Sequence, residues 1–186
     1  MNTLFNIERN LHRKIIGCLG IITPIILVFS AWVFGCDAVQ ESISAYYHTK
    51  SHKFFTWIVT IIGIFFLAYP ILDGYEADSK PFRIAGILAI LVAFFPNYIQ
   101  PDAITDCNID AVTNLNSKTS GYIHNFSAGS FFLILGYICI CLFTRSNRTY
   151  EEFSEEKKTR TRFYKFSGYI ILICIILIVL YEFWLK

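Results

Sequence analysis

The chain has 186 residues, of which 55% are hydrophobic and 16% charged, against roughly 45–50% and 25% in a soluble domain. With a mean hydropathy of +0.50 and its apolar residues gathered in blocks of membrane-spanning length, the composition excludes an ordinary soluble domain and describes an integral membrane protein. A net charge of +2, with no basic stripe interleaved with aromatics, excludes a nucleic-acid partner, and the length leaves room for a single domain over residues 1–186.

In chain order, a short basic lead with Arg9, His12 and Arg13 precedes a first apolar run at about 15–35. It is long enough to cross a hydrocarbon core as a helix, with Pro24 tolerated inside it. Val33-Phe-Gly-Cys36 faintly matches a lipoprotein cleavage site. The run exceeds a signal core in length and Phe34 is bulky, so an uncleaved span is expected. Further spans are predicted at about 54–72, 82–99, 121–144 and 166–185. The third is the shortest, with Pro96 bending or ending it, and without it four spans remain. The fold class is therefore all-α, an integral membrane bundle of five transmembrane helices. Between the fourth and fifth spans, Thr149–Arg162 mixes Glu and Lys or Arg at three- and four-residue spacings, which would support a solvated surface helix, although a plain charged connector is the leading expectation.

Of the 16 Lys and Arg residues, the four at Lys50, Lys53, Lys118 and Lys186 fall on one side of this arrangement. The other twelve fall on the opposite side. The positive-inside rule then puts the N-terminus in the cytoplasm and the C-terminus outside.

That topology collects polar side chains at the outer surface. Glu41-Ser-Ile-Ser-Ala-Tyr-Tyr-His-Thr-Lys-Ser-His52 supplies Ser42, Ser44, Tyr47, His48 and His52; the second outer loop supplies Asp102, Asp106, Cys107 and Asp110; the head of span four supplies His124 and Asn125. Ser44, His48 and His52 are each four apart, so a helical turn would place them on one face. His48 and His52, joined by His124, are candidate zinc ligands. The competing reading is interfacial, because His and Tyr are favoured where a membrane meets water. Asp102, Asp106 and Asp110 lack the glycine and glutamate of a calcium loop. His124 heads an apolar helix and needs a hydrogen-bond partner, which the hydroxyl-rich first loop or Asp102 can supply. Ser127-Ala-Gly-Ser130, with Gly136 beyond it, is a small-residue patch that predicts a central position for span four. Cys18, Cys139, Cys141 and Cys174 fall within spans; Cys36 and Cys107 fall outside, on the oxidising side, and are expected to pair as a disulfide.

Lys14-Ile-Ile-Gly17, Ser42-Ile-Ser-Ala-Tyr-Tyr-His-Thr49, Tyr122-Ile-His124 with Ser127-Ala128 and Phe131-Phe132, and Leu142-Phe-Thr144 together resemble a family of small multi-pass bacterial membrane proteins defined only as a domain of unknown function. The resemblance implies a bundle of about five helices in the bacterial cytoplasmic (inner) membrane. A weaker likeness is to the alkaline ceramidase-like membrane hydrolases. Ser44, His48, Asp102 and His124 would then be the catalytic set around zinc. This chain is two spans short of that family and lacks its late paired histidines.

The leading expectation is a non-enzymatic membrane protein without a resident cofactor. Its outer residues Ser42, Ser44, Tyr47, His48, His124 and Asn125 would contact membrane lipid, a small ligand, a partner protein or a second copy of the chain. The alternative is a zinc-dependent membrane hydrolase of lipid amide or ester bonds built on the same cluster.

Overall fold

The computed structural model describes residues 2–36, 39–69, 79–100, 107, 117–145 and 154–184. These residues are all-helical. The five α-helices are α1 (Asn2–Val33), α2 (His52–Leu67), α3 (Ser79–Phe94), α4 (Lys118–Tyr137) and α5 (Glu155–Trp184), with a 3-10 turn at Ile43–His48 and a π turn at Ile138–Leu142 that continues α4. Asn10–Val33, Lys118–Leu142 and Glu155–Tyr181 are long and apolar enough to cross a membrane. Helices α2 and α3 have 16 residues each, about 24 Å of rise, less than a full hydrocarbon thickness of about 30 Å.

Several boundaries differ from the sequence expectation. The basic lead is part of α1, because nothing in Asn2–Lys14 breaks a helix. The charged segment before the last span is not a separate surface helix from Glu155 onward; it is the first turns of α5, where Lys158 Nζ sits 2.9 Å from Glu155 Oε1. Helix α3 stops at Phe94 rather than residue 99, since Pro96 lacks the N–H that would continue the ladder and restricts the residue before it. Helix α2 stops at Leu67, and predicted residues 70–72 lie outside the described set.

Consecutive helices pack on one another, with α2 against α3 the most extensive pairing and α3 against α4 the next. The third apolar segment is thus the middle of the protein, burying Phe82, Ala85, Gly86, Leu88, Ala89 and Ala93. The reason is a glycine pair: a Cβ on Gly63 would lie 2.9 Å from Gly86 O, and one on Gly86 would lie 2.7 Å from Gly63 O. Bare backbone on both sides lets the two helices touch, which gains dispersion contact where lipid offers no hydrophobic driving force. The small-residue patch of span four, expected to make it central, acts only in part: Ser127 is buried and Gly136 meets a neighbour, while Gly129 does not. Gly129 has nothing within 4 Å of its Cβ position, and α4 approaches α5 through Gly136 and Gly168.

Helix α5 is least covered: only 6% of its apolar window is buried inside the protein. Phe163, Phe166, Ile170, Ile173 and Leu177 are exposed along it. A face of this size needs lipid or another apolar surface.

The two ends of the bundle differ in chemistry. At one end, Tyr69 stacks on Phe82 with centroids 4.0 Å apart, and Phe143 and Tyr164 close around them. The other end carries the polar residues singled out above.

Candidate functional site

Helix α1 ends in a Schellman motif. Gly35 takes φ 81°, the left-handed conformation that glycine adopts without steric cost. Cys36 N then donates to Ala31 O at 2.9 Å and Gly35 N to Trp32 O at 3.0 Å. The turn buries Cys36, which is joined to Cys107 with a Cα–Cα distance of 5.3 Å. Expectation and structure agree on this pair. It ties Cys107, between α3 and α4, to the end of α1.

The chain then enters the 3-10 turn, where the exposed Ser42 acts as its cap, accepting from Ala45 N at 3.2 Å. The next residues are fastened down by their own hydroxyls. Thr49 Oγ1 donates to Tyr46 O at 2.9 Å and accepts from Ser51 N at 3.1 Å. The hydroxyls of Ser51 and Ser30 are 2.9 Å apart, which links this segment to α1. Thr49 and Ser51 are fully buried.

The centre of the site is the end of α3. A helix leaves its last carbonyls without intrahelical partners, and Pro96 prevents the next residues from supplying them. Four consecutive carbonyls, that of Phe94 at the helix end and those of the three residues just past it, are each taken by a side chain from elsewhere. Tyr47 Oη donates to Phe94 O at 3.3 Å, and His124 Nδ1 to Phe95 O at 2.7 Å. Ser120 Oγ donates to Pro96 O at 3.0 Å, and His48 Nε2 to Asn97 O at 2.7 Å. Two donors come from the 3-10 turn and two, four residues apart on one face, from the head of α4. Close approach of α4 depends on Gly121, whose Cβ would fall 2.6 Å from Tyr98 Cβ.

His124 is 1% exposed and both its ring nitrogens are engaged. Since Nδ1–H donates to a carbonyl, the neutral ring presents a lone pair at Nε2, and Ser44 Oγ lies 2.9 Å from it. The hydroxyl of the half-buried Ser44 is therefore the donor. The expected reach between His124 and the first loop is met by Ser44; the other expected partner, Asp102, lies outside the described residues, as do Asp106 and Asp110.

The one-face arrangement of Ser44, His48 and His52 is corrected. The first two lie in a 3-10 turn, whose 3.0 residues per turn rotate positions four apart away from each other, while His52 opens α2. Their partners are separate: His124, Asn97 and, for His52 Nδ1, Thr49 O at 3.3 Å. Among the described residues, no group of three or more His, Cys, Asp or Glu could hold a metal ion. Asn125 is exposed on α4 and no described hydrogen bond brings it into the cluster. Ser120 and the α3 carbonyls escaped the sequence reading, although Pro96 two residues past a helix end signals orphan carbonyls nearby.

Burial pushes the His48 imidazole below its usual range, against the opposing effect of its bonds to Asn97, and raises the Tyr47 phenol. Unfolded His48 titrates near pH 6.5, so between that value and the lower folded one the unfolded chain binds more protons. Stability from this group is full above about pH 6.5 and declines as pH falls toward the folded value. Melting temperature in micelles is expected to fall over this acid window in the wild type and to fall less in His48→Gln, whose amide can still donate to Asn97 O. Parallel pH profiles for the two proteins would remove His48 as the source.

No family model, no curated protein and no solved structure matches this chain.

Proposed function

We propose that the protein is a five-span membrane protein of the bacterial cytoplasmic membrane, with its N-terminus inside and its C-terminus outside. Its outer face is a braced recognition surface rather than a catalytic centre, and it contacts membrane lipid, a small ligand or a partner protein. The Lys and Arg distribution supports the orientation, and so does the Cys36–Cys107 pair, which suits an oxidising compartment on the side that distribution makes external.

The observation that carries the reading is the run of four carbonyls from Phe94 to Asn97 claimed by Tyr47, His124, Ser120 and His48. Residues that would supply catalysis are spent on closing the end of a helix. That arrangement fixes the first connecting segment and leaves Ser42 and Asn125 at the surface.

The Ser44–His124 hydrogen bond favours a second reading, a hydrolase with Ser44 as nucleophile and His124 as its base, oriented by Phe95 O. This version needs no zinc. A zinc version requires His124 to give up one of its two hydrogen bonds before it can ligate.

Three measurements separate these readings. A reporter active only in the cytoplasm, fused after Lys186, should stay silent; activity would reverse the orientation or remove a span. A fluorophosphonate probe should leave the purified protein unlabelled. Labelling that disappears in Ser44→Ala would replace the recognition reading with the hydrolase. Stoichiometric zinc, lost in His48→Ala, would replace it with the metal-dependent version.

A further inference from the structure

The end of the bundle opposite the Ser44–His124 pair holds a cation in an aromatic cage. Arg13 Nε donates to Tyr69 Oη at 2.6 Å. Its guanidinium carbon stands 4.3 Å from the centre of the Phe143 ring, 5.8 Å from that of Tyr164 and 6.0 Å from that of Tyr69. The three rings come from the end of α2, the turn after α4 and the first part of α5. Arg13 is half-buried.

A guanidinium has five N–H donors in a planar fork. Tyr69 takes one, and among the described residues no acceptor takes the four on the two Nη atoms and no carboxylate pairs with the charge. Ring faces attract the cation but accept few hydrogen bonds. Half-withdrawn from water and with no carboxylate partner among the described residues, the charge carries a desolvation cost that an anion would offset. Glu155, the acidic group opening α5, is already paired with Lys158. The flanking residues Lys14 and Lys165 are basic and exposed, and add positive charge next to Arg13 and Tyr164 in the chain.

We infer that Arg13 is the seat for the phosphate of an anionic phospholipid. The planar fork matches two phosphate oxygens, and basic pockets at helix ends in membranes suit lipid headgroups. Lipid is favoured over free phosphate because large apolar side chains lie close to Tyr164 along α5: Phe163, Phe166 and Ile170 are exposed. A headgroup at Arg13 can lay its acyl chains along them.

This inference rests on the membrane reading above, and recovery of the chain in the soluble fraction would overturn both. With membrane-extracted, delipidated protein in neutral detergent, native mass spectrometry would count bound phosphatidylglycerol, with dioleoylglycerol and inorganic phosphate as separate arms. The wild type should retain phosphatidylglycerol and neither of the others. Arg13→Gln should weaken retention by at least about tenfold. Arg13→Lys keeps the charge and supports the fold but loses the fork, so its retention should fall between the two. If Arg13→Gln is not recovered folded, the Arg13→Lys result decides. Equal retention by wild type and Arg13→Lys, equal uptake of dioleoylglycerol, or binding of inorganic phosphate in place of lipid would each overturn the proposal.

Discussion

Gly86→Ala is expected to destabilise the protein by about 2–3 kcal/mol, the upper part of the range for overpacking a close contact. Gly86→Val should prevent recovery of folded protein. The added Cβ would meet two neighbours at 2.7 Å, Leu67 Cγ and Gly63 O. Leu67 is a side chain at the end of α2 and can turn aside. Gly63 O is backbone in the middle of that helix, so relief requires α2 and α3 to move apart along their whole contact. Separation would also shift the end of α3 from the four donors that hold its carbonyls. Gly129→Ala is the control: its Cβ enters open space, and alanine's better helix propensity makes it neutral or stabilising by up to about 1 kcal/mol. Thermal unfolding in micelles compares the three. Gly86→Ala melting together with wild type would mean that the glycine contact is not what joins these helices.

This contact also marks the limit of what the sequence reveals. All five apolar segments were legible, because long runs of Ile, Leu and Phe have few alternatives to a helix, and each runs through a helix of the structure. Which helix occupies the middle was not legible. Ser127–Ser130 had the right composition for a close approach, but composition licenses a contact without naming the facing surface, and Gly129 faces none. Gly63 and Gly86 lie in runs that read as uniformly apolar.

The polar end was partly legible. Cys36 and Cys107 could be paired because the other four cysteines fell within apolar runs. His124 could be linked to the first loop because a buried imidazole needs partners. The four acceptors could not be named, since a backbone carbonyl has no residue identity of its own and only Pro96 hinted that some were left over. The i, i+4 spacing of Ser44, His48 and His52 misled for a definite reason. Ser42 caps a turn of three residues per turn rather than an α-helix, and that change of period sends the three side chains to different partners. Arg13 entered the sequence reading only as one positive charge among twelve, because the rings of its cage come from three distant segments.

His124→Ala is expected to cost about 3 kcal/mol and to loosen the outer end of the bundle. Two effects combine: the imidazole leaves a cavity at a site 1% exposed, and Phe95 O loses its donor at a helix end with no backbone substitute. An acceptor left unsatisfied costs about 1–3 kcal/mol. His124→Asn separates the two hydrogen bonds of the ring, because its amide can donate from near the Nδ1 position but does not reach Ser44. That variant should lose about 1 kcal/mol. Ser44→Ala alone should lose slightly less, in line with hydrogen bonds between membrane helices averaging about 0.6 kcal/mol. Combining Ser44→Ala with His124→Asn should add almost nothing further, since the partner is already gone and the cycle reports only the Ser44–His124 term. Thermal unfolding gives the four free energies, and amide exchange at residues 43–48 should quicken most in His124→Ala. If His124→Asn proves as unstable as His124→Ala, the bond to Phe95 O is not what the histidine contributes. If the double variant is fully additive, Ser44 and His124 do not act as a pair.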